Sequence, residues 1–421
     1  MNYAITSPGQ LRANVSLPAS KSISNRALII YALSGCRQLP ENLSDCDDTE
    51  VIVRALKTMP EVIDIKAAGT AMRFMTALLA ATAHLSPLAS HLLTGTERMK
   101  HRPIKVLVDA LRRLGADISY AGEEGFPPLL ISGRQLEGGL LEVAGNISSQ
   151  YISALLLIGP VLRRGLTLRL TGSIISRPYI DLTLCTMRDF GADVEWTDVD
   201  TIEVKPRPYE PRPYLIENDW SAASYWYEMV ALSSDPDAEV YLEGLMDGSR
   251  QGDSSVRYIF SLLGVKTTFA DSGRGVTLRK NGHCVTRLDY DFTNVPDLAQ
   301  TIVCTCCALG VPFHFTGLQT LKIKETDRIE ALKRELGKLG YNLHDKDNRE
   351  LAWDGTRLPS STSRLTPPTA IDTYDDHRMA LAFAPLSLVM PISINNPQVV
   401  SKSYPHYWQH LGAAGFVIAP R

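Results

Sequence analysis

Seven cations stand out by where they lie: Lys21, Arg26, Arg102, Lys324, Arg328, Arg378 and Lys402. Each sits where a short polar cluster meets an apolar run. Lys21 and Arg26 fall in LPASKSISNRAL (17–28), with Ser20, Ser22 and Ser24 suited to cap a helix. A helix start carries N–H groups without partners and the positive end of the dipole, so it attracts anions. Cations do nothing for helix stability at that end, so Lys21 and Arg26 read as placed for a phosphate or a carboxylate. Arginine in particular suits bidentate recognition of either group. With Asp297 and Glu325, the seven cations describe a site for one multiply anionic ligand or for two anionic ligands.

Taken singly, each cluster has a structural explanation. In AGTAMRF (68–74), Gly69 and Thr70 could simply start a helix, although Gly69 would also allow a ligand close to the backbone. ERMKHRPI (97–104) could be a solvated basic face, with Pro103 in the first turn of the helix that reaches Leu114. In GNISSQ, capping accounts for Ser148 and Ser149 but leaves Gln150 unexplained. In SRPYI, Ser176 lies beside a tyrosine, Tyr179, suited to a core. Asp297 could be a cap, and Glu325–Arg328 a surface i,i+3 pair. Arg378, in DDHRMALAF, enters an apolar helix and needs a partner.

The elements that carry these clusters repeat. An apolar residue and Gly follow a helix and precede a strand at Gly115, Gly191, Gly264 and Gly340, and more weakly at Gly415. Their spacings are 76, 73, 76 and 75 residues. Gly just past the last turn is the expected left-handed stop. A second series, of helices that open on polar residues and then turn apolar, begins near Ser22, Thr70, Ser149, Ser221, Asp297 and Asp376. The pattern gives six units of strand, polar-headed helix, strand, second helix, Gly and strand pair, the first short by a hairpin between about residues 59 and 67. Two lobes of three units follow. Residues 205–219, with four prolines, read as a linker, and the chain should cross between lobes near Pro18 and Glu217. The lobes are thus 1–18 plus 218–421, and 19–217, with the polar helix heads facing the space between them. Apolar helix bodies, such as residues 73–83 and 153–161, should fill the cores.

Composition sets the outer bounds. With 421 residues, 44% hydrophobic and 21% charged, the chain suits a globular protein of more than one core. A net charge of −3 gives no bulk electrostatic case for nucleic acid. There is no basic-then-apolar leader, and prolines at 160, 385 and 391 break the longest apolar stretches, so no membrane span is expected. Cys304, Cys306 and Cys307 lack zinc-site spacing and read as core. A reducing, cytoplasmic setting and a monomer are expected.

LPASKSISNRAL, AGTAMR, RMKHRPI, GNISSQ, SRPYI, the VPD helix, KETDR and DDHRMA occur in the order seen in the EPSP synthase family, which the chain resembles nearly end to end. The resemblance implies an α/β fold, a two-lobed inverse α/β barrel of six βαβαββ repeats closing on its substrates. It implies transfer of enolpyruvyl from phosphoenolpyruvate to the 5-hydroxyl of shikimate 3-phosphate, with phosphate released and no metal or organic cofactor. Shikimate 3-phosphate would be held by Lys21, Ser22, Arg26, Ser148, Ser149, Gln150, Ser176, Asp297 and Lys324. Phosphoenolpyruvate would be held by Lys21, Gly69, Arg102, Gln150, Arg328, Arg378 and Lys402. Asp297 would be the base for the hydroxyl, and Glu325 with Lys21 the proton donor to the methylene carbon.

The sequence departs from the family at Ala67, where an Asn is usual, and at Phe74, where a Pro is frequent. Both bear on the pocket and on its response to analogues such as glyphosate. Thr320 stands where an Asn often meets the shikimate phosphate. The related transferase acting on UDP-N-acetylglucosamine typically has an early Lys–Asn pair and a reactive loop Cys. Here the pair is Lys21–Ser22, and ERMKHRP has no Cys. A non-catalytic phosphometabolite sensor would be expected to lose Asp297 or Glu325, and both are present.

Overall fold

A computed structural model of the chain describes residues 1–82, 88, 90–358 and 368–421. The chain divides into two compact units, the first Met1–Pro18 with Glu217–Arg421 and the second Ala19–Ile216. Strands of the described residues form five four-stranded sheets, three in the first unit and two in the second.

The sheets share one wiring. In the second unit, Val62–Asp64 runs parallel to His91–Thr94, which pairs antiparallel with Leu129–Ser132, and that with Asp117–Tyr120. Gly139–Ala144, Leu166–Thr171, Thr201–Val204 and Val194–Trp196 repeat the order. In the first unit, Arg12–Ser16 is the parallel strand for Glu239–Met246, so this sheet takes its first strand from before the chain leaves the unit. The last sheet is closed by the chain ends. Asn2–Thr6 pairs with Ile392–Asn395 on one side and Val417–Pro420 on the other, where the other sheets use a local hairpin.

The first repeat of the second unit is reduced further than a missing hairpin. Among the described residues it keeps the helices Lys21–Ser34 and Asp47–Thr58, and its sheet shrinks to the parallel bridge Glu41–Leu215. The helix Asp47–Thr58 ends on Met59 in the left-handed region (φ 38), whose N–H bonds the Ala55 carbonyl. The chain then runs directly into Val62–Asp64. In the other repeats this stop is glycine: Gly115, Gly191, Gly264, Gly340 and Gly415 all have φ between 80 and 102. Positive φ costs glycine little, which is why the series shows in the sequence.

The polar-headed helices are largely apolar beyond their first turn and form the cores. Gly69–Thr82 is buried along nearly its whole length, as are Ser149–Ile158, Trp220–Leu232, Ala299–Leu309 and His377–Phe383. Residue 83, expected in the first of these, lies outside the described residues. Residues 205–219 form no helix; those up to Ile216 belong to the second unit, where the buried Tyr209 hydroxyl donates to the Leu157 carbonyl, and residues 217–219 belong to the first. Cys304, Cys306 and Cys307 are buried in the first core, and burial pushes their thiols up.

That core holds one unexpected acid. Glu228 is fully buried near Thr305, Cys304 and Tyr407, and burial raises its carboxyl well above the usual range. The folded chain therefore keeps this proton after the unfolded chain has lost it. Stability linked to Glu228 is full below about pH 4.5 and falls as pH rises, by at most about 1.4 kcal/mol per pH unit. Thermal melts from pH 5 to 9 should show wild type losing ground to Glu228→Gln. Wild type gaining on the variant with pH would contradict a neutral buried Glu228.

Candidate active site

In the second unit, Ser20 caps the helix Lys21–Ser34 by accepting from the Ile23 N–H. Lys21 opens the helix and pairs with Asp48 at 3.2 Å. Asp48, buried in the first turn of Asp47–Thr58, looks in the sequence like an ordinary dipole acid. Arg26 folds back onto three helices. It donates to the Ser22 carbonyl (2.8 Å), Thr183 Oγ1 (2.7 Å), Ser153 Oγ (3.1 Å) and the Tyr179 carbonyl (3.1 Å). These four acceptors are neutral oxygens. The guanidinium carbon lies 5.6 Å from the centre of the Phe74 ring, so Phe74 lends its aromatic face to this cation. Burial brings the Arg26 pKa down to about 10, which leaves it charged at neutral pH.

Gly69 and Arg102 belong together. A Cβ at Gly69 would lie 2.5 Å from Arg102 Nη1, so the guanidinium rests on the bare backbone of this helix start. Arg73 holds the arrangement, donating to the Gly69 carbonyl at 3.2 Å and to the Pro103 carbonyl at 3.1 Å. The Tyr151 hydroxyl donates to the same Pro103 carbonyl. Pro103 is therefore not in the helical first turn expected for it. The helix is Lys105–Arg113 with Ile104 at its N-cap, and Pro103 precedes it as an acceptor. Simple capping would have explained Gly69 and Thr70, and nothing in the sequence marks Arg73 as the clamp. Gly69→Ala should leave the fold intact, because the colliding atoms end a flexible side chain. It should displace Arg102 and raise KM for phosphoenolpyruvate by about tenfold with a smaller change in kcat, as steady-state kinetics would read.

Gln150, unexplained as a cap, donates to Thr70 Oγ1 at 3.1 Å and so joins two polar helix heads. Ser148 caps Ser149–Ile158 through the Gln150 N–H, leaving Ser149 in the first turn. Ser176 heads Arg177–Asp189 in the left-handed region (φ 54, ψ 37), an unusual conformation for serine. Ser22 lends its carbonyl to Arg26.

The first unit gathers the acids with the remaining cations. Asp297 lies in the 3₁₀ turn Pro296–Leu298, and no side chain caps the following helix Ala299–Leu309. Its carboxylate goes to three cations instead: Arg378 at 2.9 Å, Arg328 at 3.2 Å and Lys324 at 3.4 Å. Glu325 pairs with Arg328 at 2.9 Å. This i,i+3 pair is not a surface bridge, since the Arg328 side chain is 1% exposed. Arg328 also makes a two-point bond to Asp376, at 2.8 and 3.2 Å. Burial opposes the charge on Arg328, but Asp376, Glu325 and Asp297 outweigh it and hold the guanidinium protonated. Asp376 in turn caps His377–Phe383 through the Arg378 N–H. Arg378 reaches the Tyr225 hydroxyl at 3.3 Å, which answers its need for partners in an apolar helix. Lys402 does not touch this cluster directly in the hydrogen bond it makes, a 2.8 Å bond to the Asp375 carbonyl.

The sequence reading missed Asp253. It is buried, accepts from the Ser221 hydroxyl, and has its pKa raised to about 6 by burial and by the charge of Asp297, with Arg378 opposing. Its signal is weak, because QGDSS reads as a loop with an acidic cap.

Each unit thus presents fixed cations and hydroxyls at helix heads with carboxylates in contact with them: Asp48 in the second unit, and Asp297, Glu325 and Asp376 in the first. Such a set can hold phosphate and carboxylate groups and move protons beside them. A family model described as EPSP synthase (3-phosphoshikimate 1-carboxyvinyltransferase) matches residues 5–66 and 58–411. The 3-phosphoshikimate 1-carboxyvinyltransferase of Bacteroides fragilis is 58% identical over 419 residues, covering 99% of each chain. That of Photobacterium profundum is 35% identical, covering 96% of each. Among solved structures, EPSP synthase from Acinetobacter baumannii superposes with a TM-score of 0.77 at 20% identity, covering 100% of both chains. The enolpyruvyl transferase NikO from Streptomyces tendae gives 0.72 at 16% identity, covering 100% of this chain and 99% of that one.

Proposed function

The chain belongs to the EPSP synthase family, and we propose how its residues divide the work of the family's reaction. It is an enolpyruvyl transferase of the shikimate pathway, with the two-lobed inverse α/β barrel fold. It transfers enolpyruvyl from phosphoenolpyruvate to the 5-hydroxyl of shikimate 3-phosphate and releases phosphate.

The observation that carries the assignment of roles is Asp297, a carboxylate ringed by Lys324, Arg328 and Arg378. Asp297 takes the proton of the 5-hydroxyl as that oxygen attacks C2 of phosphoenolpyruvate. Glu325, with Lys21, delivers a proton to C3, completing a tetrahedral adduct. Loss of a C3 proton and of phosphate from C2 then restores the double bond. Arg102, Arg328, Arg378 and Lys402, with Gly69 at the backbone, hold the phosphate and carboxylate of phosphoenolpyruvate. Lys21, Ser22, Arg26, Ser148, Ser149, Gln150, Ser176 and Lys324 hold shikimate 3-phosphate. Fixed cations beside developing negative charge supply most of the rate enhancement in sites of this kind.

The buried free thiols suit a reducing compartment, and we place the enzyme in the cytoplasm. Among the described residues no helix is long and apolar enough to cross a membrane.

Turnover in deuterium oxide, followed by proton NMR, tests the proton steps. Deuterium should enter the vinyl methylene of the product, and enter far more slowly in Glu325→Gln. Product formed without deuterium would rule out protonation at C3.

A further inference from the structure

Asp297 is asked to do two things that one carboxylate cannot do at once. As a base it must face the hydroxyl with a free oxygen. In the structure one oxygen receives Arg328 at 3.2 Å and Lys324 at 3.4 Å, and the other receives Arg378 at 2.9 Å. Arg378 also donates to the Asp297 carbonyl at 3.3 Å. Arg328 and Arg378 are the cations that the proposed function gives to phosphoenolpyruvate.

These pairs differ from the others around the same arginines. Asp376 is 0% exposed, bonds Arg328 at two points and caps the helix that bears Arg378. Tyr225 adds a second anchor on Arg378 at 3.3 Å. The Arg328 guanidinium is thus fixed without Asp297, and the Arg378 guanidinium keeps its bond to Tyr225. The Asp297 side chain, 17% exposed and on a three-residue turn, can be reached by a dissolved anion; Glu325 is as exposed, but it pairs with Arg328, whereas Asp297 bridges Arg328 and Arg378.

We propose that Asp297 is a built-in counterion for the phosphoenolpyruvate cations, displaced by the carboxylate or phosphate of that substrate. The base is then released to take the hydroxyl proton only once the second substrate is seated. This deepens the reading of the site given above and rests on it. The exchange costs the protein little net charge separation, since one anion leaves the arginines as another arrives. It also ties proton abstraction to the presence of the enolpyruvyl donor, so the hydroxyl is not deprotonated without an acceptor for its electrons.

An internal anion competes with an external one, so removing it should tighten anion binding even as it stops catalysis. Calorimetric titration of the full chain with phosphoenolpyruvate alone, and separately with inorganic phosphate, reads this directly. Asp297→Asn should bind either anion about tenfold more tightly than wild type. Asp297→Ser, with circular dichroism verifying both folds, should do the same. Phosphate should also raise the melting temperature of each variant more than that of wild type. Equal or weaker anion binding in both folded variants would overturn the proposal. A wild type that turns over phosphoenolpyruvate with shikimate 3-phosphate while the variants gain no affinity would sink this inference alone; a wild type inactive with that pair would sink the functional reading instead.

Discussion

Asp297→Asn lowers kcat by about 10³-fold while phosphoenolpyruvate still binds. The amide keeps the shape of the carboxylate and can still accept a hydrogen bond, but it cannot take up the hydroxyl proton at neutral pH. Arg328 and Arg378 keep their places in the variant because Asp376 and Tyr225 hold them. The loss should therefore fall on kcat and spare binding, as rapid-quench measurements at saturating substrate would show. If Asp297 served only to pin the arginines, the loss would appear in KM for phosphoenolpyruvate and kcat would stay near normal.

Arg328→Met should be the most damaging single change to the fold of the first unit. The side chain is 1% exposed and neutralises Asp376, itself 0% exposed, together with Glu325 and Asp297. Removing one partner of a buried ion pair leaves the others as uncompensated charges, which costs about 3–5 kcal/mol. Methionine fills most of the volume, so the cost is electrostatic and not a cavity. Adding Asp376→Asn to the variant removes the most deeply buried of the stranded charges. The double variant should recover part of the stability in urea melts and none of the activity. Recovery of activity along with stability would mean that Arg328 is structural only.

Much of this architecture was legible because its devices are local. A glycine past a helix end needs no tertiary information to be seen, and five of them at near-equal spacing expose the repeat. The sixth stop, Met59, uses the same backbone conformation on a residue that gives no hint of it. Closure of the last sheet by Asn2–Thr6 was equally invisible, since it pairs residues nearly four hundred positions apart. Phe74, a departure from the family pattern, acquires a physical role only when Arg26 is seen over its ring.

In the site, the cations could be read because they sit at helix heads where helix stability does not explain them. Their partners could not. Asp48, Asp253 and Asp376 all stand at or near helix starts, where an acid is ordinary. Only burial and distance separate them from dipole acids. Arg73 likewise resembles any helical arginine until its bonds to Gly69 and Pro103 show it holding Arg102 in place.

Release of inorganic phosphate from phosphoenolpyruvate, measured with and without acceptor, tests the central claim most directly. Rapid release with shikimate 3-phosphate, and none with UDP-N-acetylglucosamine or with no acceptor, is the expected result. Release with UDP-N-acetylglucosamine but not with shikimate 3-phosphate, or with neither, would contradict it.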